Sequence, residues 1–224
     1  MNGFFVTGTD TGVGKTWCST GLLEAFNRQG LTTIAMKPVA SGCEHTPAGL
    51  RNDDARLLMQ TMSTVAEYDE VNPYAFAPAI APHLAAAEIG VTVEIDNIIE
   101  QANQLALRAD RIVIEGAGGW LVPLNATQTF ADLAIALNLP IVLVVGIRLG
   151  CINHTLLSIE SIRHSGLPLA GWIANAGTTE AQGCGDIAAN IETLSSRISA
   201  PLLGTLPHMG CDASQIANQL DISS

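Results

Sequence analysis

A doubly wound, mostly parallel α/β sheet is the fold this sequence predicts, and three observations predict it. Short apolar runs recur along the chain with longer helix-forming stretches between them, the pattern of strands covered on both faces by crossover helices. Hydrophobic residues make up 48% of the chain and charged residues only 14%, which suits strands that have no solvent face. The first apolar run breaks at a glycine-rich turn and passes directly into a helix-forming stretch, as a βαβ unit begins.

At 224 residues the chain is long enough for one α/β domain with a full core and too short for two large ones, so a single domain over 1–224 is expected. The first strand is expected at 4–7, where Phe4, Phe5 and Val6 follow Gly3. A helix at 15–28 comes next, with Leu22, Leu23 and Phe26 available for its inner face. The second strand, 32–37, ends at Lys37-Pro38, and Pro38 keeps the chain extended. A helix at 53–62 follows Asn52, a good cap. The segment 71–83 carries three prolines and is expected to be a structured irregular loop. A helix at 94–108 leads to a strand at 111–115, where Ile112, Val113 and Ile114 are closed by Glu115. The remaining helices are expected at 130–137, 153–164, 186–197 and 212–220, and the remaining strands at 141–145, 169–175 and 202–206. No low-complexity linker or internal repeat divides them. In such a sheet, ligands bind at the carboxyl ends of the strands.

Composition narrows the partners. The net charge is −11 and the 10 basic residues do not cluster, which argues against nucleic acid, whose phosphates demand Lys/Arg patches. The longest uninterrupted apolar stretch, 141–145, is far short of a membrane span. The five cysteines form no Cys-x-x-Cys pair and no metal spacing, as expected of reduced thiols in a cytoplasmic protein. The chain runs straight into its first strand, so no signal peptide is expected.

The chemistry starts at residues 8–16, Gly-Thr-Asp-Thr-Gly-Val-Gly-Lys-Thr. Between a strand and a helix, this is the phosphate cradle of a P-loop NTPase. Its glycines let successive N–H groups turn toward phosphate oxygens. Lys15 reaches the β and γ phosphates, the Thr16 hydroxyl suits Mg²⁺, and the helix dipole favours the anion. The spacing is a variant, with one residue more between Gly8 and Gly14 than the usual form.

The chain has only two lysines, and the second, Lys37, ends a strand at the same rim, where it can stabilise a transferring phosphoryl group. Glu115 ends an apolar strand ahead of Gly116, Ala117, Gly118, Gly119 and Trp120, an arrangement that can hold Mg²⁺. Within Asn52-Asp53-Asp54, capping explains Asn52 or Asp53, and Asp54 either belongs to the same turn or faces the metal. Gly150, Cys151, Ile152 and Asn153 open a helix, where either free N–H groups receive a carboxylate or Asn153 caps the helix. Asn175, at a late strand end, offers an amide to a base. Ala176 after it supplies no carboxylate for guanine, which leans toward adenine.

Taken together these blocks resemble the dethiobiotin synthase family nearly end to end. The resemblance rests on residues 5–11 and 13–16, Lys37 to Gly42, Thr46-Pro47, Gly49 to Asn52, Val71 to Tyr74, and Glu115 to Trp120. It continues through Leu139-Pro140, Gly150 to His154, Ala170 to Trp172, Asn175 and Ala200 to Gly204. It implies a homodimer of P-loop subunits that closes a ureido ring from 7,8-diaminopelargonate, CO₂ and MgATP, giving dethiobiotin, ADP and phosphate. In that family the diamine's N7 forms a carbamate, which attacks the γ-phosphate, and N8 displaces phosphate from the resulting anhydride.

Carried onto this chain, Lys15, Lys37 and Thr11 are catalytic, and Thr16, Asp54 and Glu115 hold Mg²⁺. Gly12, Val13, Gly14, Lys15, Thr16, Trp17, Glu115, Gly116, Ala117 and Gly118 bind the nucleotide, with Asn175, Pro207, His208 and Met209 around the base. Thr11, Lys37, Ser41 and Gly118 meet the diamine, and 150–153 of the partner subunit take its carboxylate. The stretch 176–185 and the tail after His208 depart from the family pattern, which leaves the base rim open.

Two rivals are weaker. The cobyrinate and cobyrate amide-forming enzymes need a glutaminase domain for which this chain has no room. Partitioning-type nucleotide switches carry a lysine early in the P-loop, where Thr9 and Asp10 stand here, and no amphipathic membrane helix ends this chain. Lys37→Ala is expected to lower turnover by roughly 10²–10³, with stability almost unchanged. Steady-state ADP release and a thermal melt check both halves.

Overall fold

The computed structural model describes residues 1–177, 185–207 and 212–222. Along the chain run β1 (Gly3–Gly8), α1 (Lys15–Arg28), β2 (Thr33–Met36), β3 (Val39–Ser41), β4 (Glu44–Thr46), β5 (Gly49–Arg51) and α2 (Asp53–Thr61). Next come α3 (Tyr68–Val71), β6 (Tyr74–Phe76), α4 (Pro82–Glu88), α5 (Ile95–Ala106), β7 (Arg111–Glu115) and α6 (Phe130–Leu137). The rest are β8 (Ile141–Gly146), α7 (Cys151–His164), β9 (Leu169–Asn175), α8 (Ile187–Ser195), β10 (Leu202–Leu206) and α9 (Ala213–Ala217).

Among the described residues the main sheet has six strands, ordered β10-β9-β8-β1-β7-β2 and parallel throughout. Residues 141–145 of β8 are all 0% exposed. Successive side chains of a strand point to opposite faces, so both faces of the sheet are covered there. That burial is why the strand reads as a continuous apolar run rather than an alternation. Helix α1 packs with α2 and α9, α5 with α6, and α7 with α8.

The strand order places the site. From β1 the chain crosses to β2 on one side, and later strands extend the sheet on the other, so a crevice opens at the carboxyl end of β1. Register then sets the heights: Val6 of β1 lies opposite Glu115 of β7 and Val142 of β8. The turn after Gly8 therefore arches beside Glu115.

The six expected strands are all present, within one or two residues at their ends. The main correction is at 71–83, which is not an irregular loop. It holds the end of α3, then β6 paired in parallel with β3, then the start of α4. Pro82 opens α4, where its missing N–H and fixed φ cost nothing. The hairpin β4–β5 was also not expected. Helix α7 begins at Cys151, two residues before the expected 153, and α9 is shorter than 212–220.

Gly146, at the end of β8, is where the sheet touches the glycine loop. A Cβ there meets Val13 Cγ1 at 2.9 Å and Val13 Cβ at 3.2 Å. Gly146→Ala is expected to cost about 1–3 kcal/mol by overpacking and to weaken ADP binding on the order of tenfold by displacing the loop. A thermal melt and an ADP titration together check it; wild-type ADP affinity would contradict the contact.

Candidate active site

The glycine turn is shaped by residues able to adopt positive φ. Gly12 has φ +73° and Gly14, the N-cap of α1, has φ +87°, a region open to glycine at little cost. Gly8 contributes space instead, since a Cβ there falls 2.7 Å from Val13 Cγ2. The turn is pinned from several sides. Thr9 N–H donates to the Val144 carbonyl at 3.0 Å, and Asn175 Nδ2 donates to the Val13 carbonyl at 2.8 Å. The Asp10 carboxylate accepts from the Thr11 N–H at 2.7 Å and pairs with the Arg148 guanidinium. Lys15 Nζ donates to the Asp10 carbonyl at 2.9 Å.

Beside this turn lies a buried charge cluster. Lys37 sits one residue beyond β2, its backbone fixed by an N–H bond to the Val71 carbonyl at 2.8 Å and by Asn72 Nδ2 donating to its own carbonyl at 2.7 Å. Its ammonium donates to Glu115 Oε1 at 2.5 Å, Asp54 Oδ2 at 3.0 Å and the Gly116 carbonyl at 3.3 Å. The Thr16 hydroxyl donates to the same Glu115 oxygen at 2.8 Å. Glu115 is 0% exposed, and its other oxygen, Oε2, has no hydrogen-bond partner among the described residues. Asn52 caps α2 by accepting the Ala55 N–H at 3.2 Å. That leaves Asp54, in the first turn, facing Lys37.

Burial dominates the titration of Lys15, and the nearby Lys37 adds to it, so its pKa falls to about 8. Burial also opposes the charge of Lys37, but Glu115 and then Asp54 together outweigh it and hold that pKa above the ordinary lysine value. Asp54 is lowered: burial works against its charge, and Lys37 followed by Thr16 and Lys15 overcomes it. Burial raises the Cys18 thiol, which makes it inert.

A cavity of about 570 Å³ opens over this cluster. Its polar lining comes from Thr11, Lys15, Thr16, Lys37, Ser41 and Asp54, and its apolar lining from Trp17, Ala79, Ile80, Ala81, Pro82 and Val122. Ser41 Oγ is buried with no partner among the described residues. Gly12, Gly14, Ala117 and Gly118 complete the walls with backbone. Thr16, Asp54 and Glu115 offer only oxygen donors, the set for a hard divalent cation, and the partnerless Oε2 fits that use.

Not every expected residue reaches the cavity. Val13 is buried and packs against the sheet, and Glu115 and Gly116 lie beneath the walls. Asn175 is 1% exposed, its amide donating to the Val13 carbonyl and its Oδ1 accepting from the Gly177 N–H, so it holds the turn. Pro207 lies outside the lining, as do 150–153, which were expected to act on the cavity of a second copy rather than on their own. Cys151 is buried, its N–H bonded to the Arg148 carbonyl and its thiol near Asn190, so its side chain is not presented to a ligand. Asn153 does not cap α7, because Gly150 holds that position at φ +91°. His208 and Met209 lie outside the described residues. The sequence reading missed Asn52 and 79–82 as lining. The prolines marked that segment as rigid but said nothing of which wall it forms.

Against known proteins, the family model described as an AAA domain matches residues 2–211. The ATP-dependent dethiobiotin synthetase BioD of Pseudomonas aeruginosa (strain UCBPP-PA14) is 53% identical over 210 residues, 93% of this chain and 91% of the relative. The protein of the same name from Xanthomonas axonopodis pv. citri is 48% identical over 220 residues, 98% and 97% of the two chains. This chain belongs to the ATP-dependent dethiobiotin synthetase family. Dethiobiotin synthetases share their fold more widely. The MinD protein in the MinC:MinD complex of Aquifex aeolicus aligns with a TM-score of 0.56 at 14% identity, over 96% of this chain and 86% of that one. A ParA family ATPase from Chlorobium tepidum aligns at 0.55, also at 14% identity, over 98% and 91%. At that identity the likeness is one of fold alone, and it does not favour the switch reading.

The geometry changes one expectation. Lys37→Ala leaves Glu115 buried without its main counter-charge, so stability should fall by about 3–5 kcal/mol rather than stay unchanged, as a denaturant melt would read. Lys15 generates a second prediction. Its pKa of about 8 in the free protein rises when phosphates bind. Nucleotide affinity is therefore full below about pH 8 and falls toward tenfold per unit above it, with proton uptake on binding. Free-protein stability moves the other way, rising with pH from about 8 toward the ordinary lysine range, because there the unfolded chain binds more protons. Calorimetry in buffers of differing ionisation enthalpy checks this; pH-independent binding up to about pH 9.5 would contradict it.

Proposed function

We propose that this protein, as one P-loop α/β unit over 1–224, catalyses ATP-dependent ring closure of 7,8-diaminopelargonate with CO₂ to dethiobiotin, ADP and phosphate. The observation that carries the reading is the mixed lining of the cavity. Lys15, Lys37 and Asp54, with Glu115 beneath them, suit phosphoryl transfer, and Ala79, Ile80, Ala81, Pro82 and Val122 suit an alkyl chain. No histidine or cysteine lines it among the described residues, which suits a reaction in which the substrate's own atoms are the nucleophiles.

The diamine's N7 adds to CO₂, and the carbamate oxygen attacks the γ-phosphorus of ATP. Lys15 and Lys37 carry the negative charge on the transferring group, and the N–H groups of 12–16 cradle the phosphates. Mg²⁺, held by Thr16, Asp54 and Glu115, neutralises phosphate charge when bound. Thr11 and Ser41 border the carbamate, and the Gly118 backbone lies along the diamine. The methylenes rest against 79–82 and Val122. N8 then attacks the carbamoyl carbon and phosphate leaves. The reaction needs orientation and fixed charge rather than an enzyme-bound intermediate.

The reading includes a homodimer in which the start of α7, 150–153 of a second copy, receives the substrate carboxylate. Exposed Leu149 and Leu157 flanking that stretch and exposed Leu121 next to the lining residue Val122 support it, since apolar side chains so exposed gain from a covering partner. The base is assigned to the rim at 207–209, with Asn175 acting through the turn it braces. No helix among the described residues is long and apolar enough to cross a membrane, which agrees with the proposed cytoplasmic location.

The test is ADP formation by purified protein with MgATP and bicarbonate, with and without the diamine. Diamine-dependent ADP matched by dethiobiotin is expected. Slow ADP release that ignores the diamine would move the partitioning-type switch to the front.

A further inference from the structure

We infer that Lys37 is the built-in counter-ion of the metal site, and that Mg²⁺ and the Lys37 ammonium compete for Asp54 and Glu115. This deepens the proposed function and rests on its assignment of Thr16, Asp54 and Glu115 to the metal. Lys37 Nζ stands 2.5 Å from Glu115 Oε1 and 3.0 Å from Asp54 Oδ2, so it bridges the two carboxylates that the metal needs. The Thr16 hydroxyl donates its hydrogen to the same Glu115 oxygen, which leaves its oxygen lone pairs for a metal. Glu115 Oε2, buried and without a partner among the described residues, is also ready for a cation.

A metal on these oxygens and the ammonium beside it repel each other in a buried site, so each weakens the other's hold on the pair. Metal binding therefore favours movement of the Lys37 ammonium off the carboxylates, into the cavity it already lines. The exchange has a use. Without metal, Lys37 keeps a fully buried carboxylate neutralised; with metal, the same ammonium is released toward the phosphates. By linkage, whatever lysine loses at this pair the metal gains, so removing Lys37 must tighten metal binding.

The experiment is an Mn²⁺ titration of nucleotide-free protein, read by loss of the free aquo-ion's paramagnetic resonance signal. Lys37→Met should bind one Mn²⁺ about tenfold or more tightly than wild type, and Glu115→Gln in the same background should abolish the gain. Equal or weaker binding by Lys37→Met overturns the inference. Should that variant fail to fold, wild-type protein carries the test alone, because the chain has only two lysines. Acylation of Lys37, followed by mass spectrometry, should speed several-fold on saturation with Mg²⁺ while Lys15 changes little; an unchanged Lys37 rate overturns the inference. Dethiobiotin formation is measured separately. Synthesis without exchange sinks this inference alone, and exchange without synthesis sinks the proposed reaction alone.

Discussion

The bridge from Lys37 to Glu115, at the carboxyl ends of β2 and β7, is the constraint on which the site depends. A carboxylate with no exposure to water cannot stay ionised alone without a large penalty, and a neighbouring ammonium offsets it only at close range and good geometry. The sheet supplies that geometry. β2 and β7 are adjacent and parallel, so residues just past their ends stand side by side, and Lys37 is locked by Val71 and Asn72. Everything nearby is arranged to balance this pair. Asp54 comes from the first turn of a capped helix, Thr16 from the first turn of α1, and Lys15 lies against the backbone of its own turn.

Such a cluster is poor at stabilising the free protein, because desolvation cancels most of the attraction. Its value lies in preorganisation. Charges already stripped of water do not need to reorganise when a phosphoryl group carries its developing charge past them. The lowered pKa of Lys15 is the visible cost, since burial strips its ammonium of water and the neighbouring Lys37 repels it. Phosphate relieves it, which ties nucleotide binding to the same electrostatic frame.

Much of the fold was legible in the sequence, for a clear reason. Strands buried on both faces cannot use polar residues, so β1, β7 and β8 appear as unbroken apolar runs. The cluster was legible because polar residues at the ends of such runs, Lys37 and Glu115, have no packing role to explain them. What lay between was harder. The stretch 71–88 owes β6 to its pairing with β3 and α4 to its place at the cavity wall, and neither partner lies within a local window. Local pattern also could not tell whether Asn52 or Asp53 was the cap, or where Asp54 faced; Asn52 caps the helix, and Lys37 from beyond another strand engages Asp54. The start of α7 was misjudged because Gly150, in the left-handed region, does the capping that Asn153 seemed suited for. Asn175, read as offering its amide to a base, also braces the Val13 carbonyl across the sheet, a contact no local pattern shows.

In the proposed reaction this charge cluster transfers phosphoryl to an oxygen that arrives as CO₂. Bicarbonate labelled with oxygen-18 follows that oxygen, because the attacking carbamate oxygen becomes the bridge of the anhydride and departs with phosphate when N8 closes the ring. Phosphate carrying one labelled oxygen per dethiobiotin formed is expected. Phosphate free of that label, but labelled when the reaction runs in oxygen-18 water, would mean that water attacks ATP and that the cluster serves hydrolysis instead.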